Sequence, residues 1–412
     1  MKMHDDTEGL PIVSDDSSLS LNYSTTASPY LAYFTEPHTS VSIPESSLTP
    51  VDGLRSNAAA YVDEEELPEW CNVLSLECEC HISYQFYDYE EVLLLGLVTL
   101  PIIIFGLCAN LTSIRIFTHR LMISSSINWY LGVLSCSDTF ILFSAFFVLS
   151  LPRIGEYTGI WIATSCSYWV APYMYGLMTL SQTISVWMTT GMSVHRYIGV
   201  CLPFKAASLL EQNRVRIFIL SLLAFSVLFN TTRFFEVRVV NNCFRSNINE
   251  FIPVLNPSDL RLNATYRLIF FGWAYTILMF VVPFSILIVL NTQVLFAVRR
   301  SNRLHHRGAQ DEAAKRAERK ERQTSIMLVA IVLVFLSCNT LAFVVNILEN
   351  VGYDNELYVS LVTYNNFLVI VNASCNIAIY MLFSDKYRLL LRHYLLCDWS
   401  REGEMLLSTT YA

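Results

Sequence analysis

The sequence predicts an all-α membrane protein: a seven-transmembrane helix bundle with a short amphipathic eighth helix and a disordered acidic extracellular N-tail. Three observations carry that expectation. Seven apolar stretches, at 92–117, 126–150, 168–199, 215–236, 266–298, 323–350 and 357–382, are each long enough to cross a bilayer. A hydrocarbon core about 30 Å thick takes roughly 20 residues of helix. The chain is 53% hydrophobic and only 15% charged, with mean hydropathy +0.42, whereas about a quarter of an average soluble domain is charged. The charge is also divided. Residues 1–92 hold 18 Asp/Glu and 2 Lys/Arg, a net of −16, and the rest hold 17 and 25, a net of +8, which together give the overall −8.

Residues 1–91 read as an N-tail rich in Ser, Thr, Asp, Glu and Pro, without the periodicity that builds a core. The opening MKMHDDTEGL has no apolar h-region, so the first span is expected to act as its own insertion signal. Segments 115–125, 201–214 and 299–324 are basic, whereas 151–167, 237–265 and 351–356 hold few basic residues. The positive-inside bias therefore places the N-tail outside and the body, 92–382, across a membrane. Glycosylation sequons that fall on the outside begin at Asn22 and Asn263; those at Asn110, Asn230 and Asn372 fall in apolar spans. Of eleven cysteines, Cys71, Cys78, Cys80, Cys166 and Cys243 lie outside, an odd number. Residues 383–412 form a cytoplasmic end. Within it, Tyr387, Leu390, Leu391, Tyr394 and Leu395 recur at helical spacing opposite Lys386, Arg388 and Arg392, as in an interfacial helix, and Cys397 follows as a palmitoylation candidate.

The mechanism-bearing residues are polar groups inside apolar spans, which are costly and usually functional. Arg196 stands near the cytosolic end of the third span, followed by Tyr197 and, seven residues on, by Pro203. Asn110 lies in the first span, Asp138 in the second, Pro283 in the fifth, Phe335 and Cys338 in the sixth, and Asn376-Ile377-Ala378-Ile379-Tyr380 in the seventh. This ordered set, over 92–397, resembles the rhodopsin-like G-protein-coupled receptors. The resemblance implies that His195, Arg196, Tyr197, Glu321 and Tyr380 form the gate that meets a heterotrimeric G protein, with Arg196 and Glu321 latched at rest. It implies that Asn110, Asp138, Ser185, Asn372 and Asn376 form a polar core. There Asp138, Ser185, Asn372 and Asn376 are oxygen donors able to hold an allosteric sodium ion. The alternative is a protonated Asp138 bonded to Asn110 and Asn376. Val186, Pro283 and Phe335 would connect pocket to gate. Relatives join the outer end of helix three to the second outer loop by a disulfide. The usual position is Ala171 here, so the resemblance points to Cys166, five residues earlier, with Cys243, and Cys71, Cys78 or Cys80 as competitors.

The chain also departs from that family. His195 replaces the acidic residue that usually precedes the arginine, Asn339 and Leu341 stand where relatives often carry Trp and Pro, and the fourth span has no tryptophan. Thr232-Arg233-Phe234-Phe235-Glu236, Tyr266, Trp273, Asn291 and Asn346-Ile347-Leu348-Glu349 resemble invertebrate FMRFamide-type neuropeptide receptors, which implies an RF-amide peptide ligand. A cationic, aromatic peptide asks for carboxylates and rings, and the candidates are Tyr173, Tyr175, Met178, Glu236, Trp273, Glu349 and Tyr364; an Arg233–Glu236 structural pair is the rival role for Glu236. Met178 stands where amine receptors carry a carboxylate and Ile370 where opsins carry a lysine, so neither class fits. Ser400, Ser408, Thr409 and Thr410 are candidates for phosphorylation and arrestin recruitment. Two other readings stay open at this point: a constitutively active receptor without ligand, and an ion transporter or channel. No Gly-rich phosphate loop, HExxH or nucleophile elbow is present, which points away from an enzyme. The basic third inner loop joins two spans, so it suits lipid headgroups and a G protein and not nucleic acid.

Overall fold

The computed structural model describes residues 87–245, 250–305, 312–352 and 356–395. Eight helices in chain order make up the body: α1 (Tyr89–Phe117), α2 (Ser126–Thr158), α3 (Trp161–Cys201), α4 (Gln212–Phe235), α5 (Ala264–Arg300), α6 (Arg322–Val351), α7 (Leu357–Phe383) and α8 (Asp385–Leu395). Six of them, all but α3 and α8, are long and apolar enough by length and composition to cross a membrane. The 41-residue α3 is richer in Ser and Thr. It tolerates them because it is the central helix: Thr183, Ser185, Thr189, Thr190 and Ser193 are all buried. Most of these hydroxyls bond a carbonyl one turn back, as Thr189 does to Ser185 at 2.9 Å and Thr190 to Val186 at 2.9 Å.

Prolines shape three of the helices. Backbone bonding widens to π geometry over Val92–Val98, Phe146–Ser150 and Arg267–Val281. Each π segment ends two or three residues before a proline: Pro101, Pro152 and Pro283. A proline offers no N–H and its ring pushes against the carbonyl four residues back, so the turn before it opens. The break expected at Pro283 is thus a change of helical pitch and not a chain interruption. α6, with Leu341 and no proline, continues through Asn339, which donates to the carbonyl of Phe335 within its own helix at 2.8 Å. Helices α1, α2 and α7 come close together at Gly106, where a Cβ would collide with Ser374 and Leu142; small residues allow such backbone approach in membrane bundles.

Two features were not expected. The segment after α4 is an antiparallel hairpin, β1 (Val237–Arg245) paired with β2 (Glu250–Pro257), with Val237 opposite Pro257, Val239 opposite Leu255 and a bulge between Val240 and Cys243. Val237, Ile252 and Leu255 pack with Tyr168, Ala171 and Tyr175 of α3, so the hairpin lies against the outer end of that helix. The body also begins before Val92: Tyr87 is 5% and Glu91 6% exposed. Residues just before the expected boundary at 91 are thus buried with the bundle. Mean hydropathy marks where charges stop, and Glu91 is a charge that the bundle buries. At the opposite end α8 lays Tyr387, Leu390 and Leu391 against the body and leaves Lys386, Arg388 and Arg392 exposed. The amphipathic face is the expected one except for Leu395, which is 70% exposed.

Candidate functional site

The end that carries Arg196 is a junction of α1, α2, α3, α7 and α8. His195 is buried and its Nε2 lies 2.9 Å from the Ser126 hydroxyl at the start of α2, with the Tyr130 ring edge-on at 5.7 Å. At the position where the resemblance leads one to expect an acid, this chain has a ring engaged with α2. Arg196 and Tyr197 are half-buried in the same turn. The side chain of Glu321 lies outside the described residues. Asn291 of α5 donates to Ser193 of α3 at 3.0 Å. Tyr380 is fully buried, its ring 5.1 Å from Phe117 and 5.4 Å from Tyr387. The Tyr387 hydroxyl is 2.7 Å from Ser113, whose own proton goes to the Ala109 carbonyl, so Tyr387 is the donor. Burial pushes the Tyr387 phenol up to about 12, which keeps that proton in place at any working pH. Tyr387→Phe removes one neutral bond and leaves Ser113 satisfied. It is expected to cost about 1 kcal/mol, read as a small downward shift in the thermal midpoint of the purified protein.

Midway along the bundle, Asp138 is fully buried. Asn376 donates to its Oδ2 at 2.8 Å and Ser185 to its Oδ1 at 3.4 Å, so one carboxylate joins α2 to α3 and α7. Asn110 takes no part in this: its amide donates to the Ala373 carbonyl at 2.8 Å and pins α1 to α7. The polar core predicted as one set is thus two neighbouring ones. Asn372 lines a cavity with Ser185, Gln182 and Asn339. Room there for water-sized occupants is about 30 Å³, enough for a water or two and too little for a peptide side chain. Ser185 and Asn372 bring side-chain oxygens to this cavity, and Asp138 adjoins it through its bond to Ser185. Asn376 presents its N–H₂ to Asp138 and would supply its oxygen only after an amide turn. Among the described residues no group of three or more His, Cys, Asp or Glu side chains could hold a metal. Val186 and Phe335 meet in one buried cluster with Tyr275, Met279 and Phe280, beside the buried Pro283 and with Phe284 edge-on to Phe335 at 6.2 Å.

At the hairpin end the candidates separate. Tyr173, Trp273 and Tyr364 are 67%, 65% and 52% exposed and stand on outward stripes. Tyr173 shares its stripe with Ile162 and Trp169, Trp273 with Ile269 and Ile277, and Tyr364 with Leu357 and Leu382, at spacings of four, seven and eighteen residues, each close to whole helical turns. They face away from the bundle interior, which corrects their assignment to a ligand pocket. Cys166 is on the same stripe as Tyr173; it is exposed and its thiol is free. Cys166 thus does not form the expected bridge to Cys243, whose side chain lies outside the described residues; the helix turns Cys166 outward while Ala171 packs with the hairpin. Tyr175 and Met178 are buried against α2 and the hairpin.

Both carboxylate candidates are paired with arginine. Glu236 is fully buried, 3.2 Å from Arg233 Nη1, and its other oxygen accepts from Tyr266 at 2.8 Å. The structural pairing of Glu236 with Arg233, the rival role read from the sequence, is the one observed. Glu349, near the end of α6, accepts from Arg261 Nη2 at 2.9 Å; Arg261 lies on a four-residue helix, Asp259–Leu262, after the hairpin. Arg261 has no signature in the sequence, since a lone arginine in a loop carries no periodic signal. Asn263 caps the next turn by accepting from the Tyr266 N–H at 3.0 Å and remains exposed, compatible with a glycan on its nitrogen. Asn22, Cys397, Ser400, Ser408, Thr409 and Thr410 lie outside the described residues.

Residues 109–380 match the family model described as 7 transmembrane receptor (rhodopsin family). The chain belongs to that family. This is a receptor family and not an enzyme family, and membership makes the chain a multi-pass membrane protein. Within it, the chain is 30% identical over 287 residues to the FMRFamide receptor of Drosophila melanogaster, which covers 69% of this chain and 50% of that one. It is 30% identical over 340 residues to the probable G-protein coupled receptor frpr-1 of Caenorhabditis elegans, covering 77% and 82% of the two chains. It is 27% identical over 310 residues to the FMRFamide peptide receptor frpr-18 of the same worm, covering 73% and 68%. The chain thus spans half the length of the Drosophila relative. The resemblance to FMRFamide-type receptors read from short segments holds over most of the bundle.

Proposed function

We propose that this chain is a plasma-membrane receptor for an RF-amide peptide, signalling to a heterotrimeric G protein. The observation that carries the reading is its 30% identity, over 69% of its length, to a protein named for FMRFamide. The chemistry of the hairpin end supports it. Glu236 and Glu349 sit among Phe270, Phe271 and Tyr275, an environment that already accommodates two guanidinium groups. The C-terminal Arg-Phe-amide of such a peptide is one guanidinium and one ring. In this reading the N-tail, with glycans on Asn22 and Asn263, and the hairpin are outside, where acidic residues draw a cationic peptide inward. The Arg196 end is cytosolic. There α8 lies on the lipid surface, anchored by palmitate on Cys397, and phosphorylated tail residues recruit arrestin.

Activation would part α6 from α3 and expose His195, Arg196 and Tyr197 to the G protein, with Glu321 as the resting partner of Arg196. The cluster of Val186, Phe335 and Phe284 beside Pro283 would carry movement from one end to the other. A sodium ion beside Asp138, held with Ser185, Asn372 and Asn376, would stabilise the resting state by neutralising a buried carboxylate.

The experiment is a panel of amidated and free-acid RF peptides applied to cells expressing the receptor, read by calcium and cAMP. At least one amidated peptide is expected to act below micromolar concentration and its free acid to be at least tenfold weaker. Silence toward the whole panel, with surface expression verified, would refute the ligand class.

A further inference from the structure

The hairpin end holds an arrangement that ordinary helix packing does not require. The Phe271 ring has Arg261 Cζ at 3.6 Å and Arg233 Cζ at 4.1 Å from its centroid. Two guanidiniums that close can share one ring only from opposite faces, so Phe271 is a filling between two cations. The two arginines are not equivalent. Arg233 pairs with a carboxylate three residues away on the same segment, and both Glu236 oxygens have partners, Arg233 and Tyr266. Arg261 pairs with a carboxylate 88 residues away on another helix, through a single bond. Its side chain is 3% exposed and that of Glu349 is 8% exposed, yet Glu349 Oε2 and Arg261 Nη1 and Nε have no hydrogen-bond partner.

A buried pair bonded at one point recovers little of the cost of removing two ions from water. A guanidinium that met Glu349 through two parallel N–H···O bonds would satisfy both oxygens and bind more strongly. The backbone of Arg261, fixed in a short turn after the hairpin, fails to bring it into that geometry. Tyr275, which lines the central cavity, lies under Arg233 at 4.8 Å, so this cluster is continuous with the cavity's outer wall.

We propose that the face formed by Phe271 and Glu349 is a guanidinium-binding site that the protein's own Arg261 occupies until an arginine-bearing peptide replaces it. Arg261 is then a placeholder. It fastens the end of α6 to the loop after the hairpin, and the ligand's arginine exchanges with it on the same ring and the same carboxylate. This assignment of the ligand's arginine rests on the RF-amide reading, whereas the guanidinium site itself does not.

Two arms separate these claims. In the first, the receptor in lipid nanodiscs is melted with and without ethylguanidinium chloride, using sodium chloride of equal strength as control. Arg261→Ala is expected to melt below the wild type and to be restored by ethylguanidinium. The wild type and Arg261→Ala/Glu349→Gln should gain nothing. Absence of protection in Arg261→Ala would overturn the site. In the second arm, an amidated Arg-Phe peptide is titrated at matched surface expression. Arg261→Ala is expected to be about tenfold more sensitive, equivalent to about 1.4 kcal/mol, and Glu349→Gln at least tenfold less sensitive. Loss of sensitivity in both would make Arg261 a positioning residue for Glu349 and defeat the placeholder role. Peptide silence in all forms, with protection in the first arm, would refute the RF-amide reading and leave the site standing. If Arg261→Ala fails to reach the membrane, Arg261→Gln carries the same two comparisons.

Discussion

Asp138→Ala is expected to destabilise the purified receptor by about 2–4 kcal/mol and to abolish its response to sodium. The magnitude follows from what the carboxylate holds. Asn376 and Ser185 donate to it from α7 and α3, and each buried donor left without an acceptor costs about 1–3 kcal/mol. Part of that is offset, because a buried carboxylate is itself costly. Asp138→Asn separates the two roles. Its shape is retained and one acceptor survives, so the loss of stability should fall to about 1–2 kcal/mol. Its charge is gone, so a cation has nothing to neutralise. The measurement is the thermal midpoint in sodium chloride against choline chloride. Sodium at ten times its dissociation constant adds about 1.4 kcal/mol to the wild type and should add nothing to either variant. Equal midpoints for the wild type in the two salts would remove sodium from the mechanism. A sodium shift that persists in Asp138→Asn would move the ion elsewhere.

How much of this was legible in the sequence depends on the kind of signal each residue carried. Spans were legible because apolar runs of twenty residues leave few alternatives. Asp138 and Asn376 were legible because a polar residue in such a run needs a partner, and the two supplied each other's. Asn110 was legible as polar and buried but not as to its partner, since backbone carbonyls have no sequence signature and it chose Ala373. Tyr173, Trp273 and Tyr364 were misassigned for a different reason: a tyrosine or tryptophan suits both a pocket and a lipid-facing stripe. The stripe is written in the spacing of Ile162, Trp169 and Tyr173, because the 3.6-residue period marks an exposed face as well as a buried one. The same period places Cys166 outward. The hairpin was hinted at by Val237-Arg238-Val239 and Ile252-Pro253-Val254-Leu255, alternating or β-branched runs among turn residues. Pairing across the four intervening residues is a tertiary event that hydropathy averages away.

Glu91→Gln should have an effect of comparable size at the hairpin end, through a residue that the sequence assigned to the tail. Arg153 of α2 is 1% exposed and its pairing with Glu91 of α1, at 3.2 Å, joins the two helices where the chain enters the bundle. Its other amino group donates to the Leu149 carbonyl at 2.7 Å, and its guanidinium lies 4.3 Å from the Tyr87 ring, whose hydroxyl meets Tyr168 of α3 at 3.1 Å. Removing the negative charge takes a carboxylate partner from a buried cation, and breaking a buried ion pair from one side costs about 3–5 kcal/mol. Removing both charges does not, since apolar residues of similar volume fill such sites at little cost or with a gain. Glu91→Gln alone is therefore expected to lower the thermal midpoint strongly, and Glu91→Leu/Arg153→Met to return it to within about 1 kcal/mol of the wild type. The comparison decides between two roles for residues 87–91. If the double variant is as unstable as the single one, the ion pair is only part of a larger polar network through Tyr87 and Tyr168. If it is restored while peptide sensitivity is also unchanged, the pair serves to fasten the start of α1. If stability returns but sensitivity falls, the charges at this entrance also take part in guiding the ligand, which a purely mechanical fastening would leave untouched.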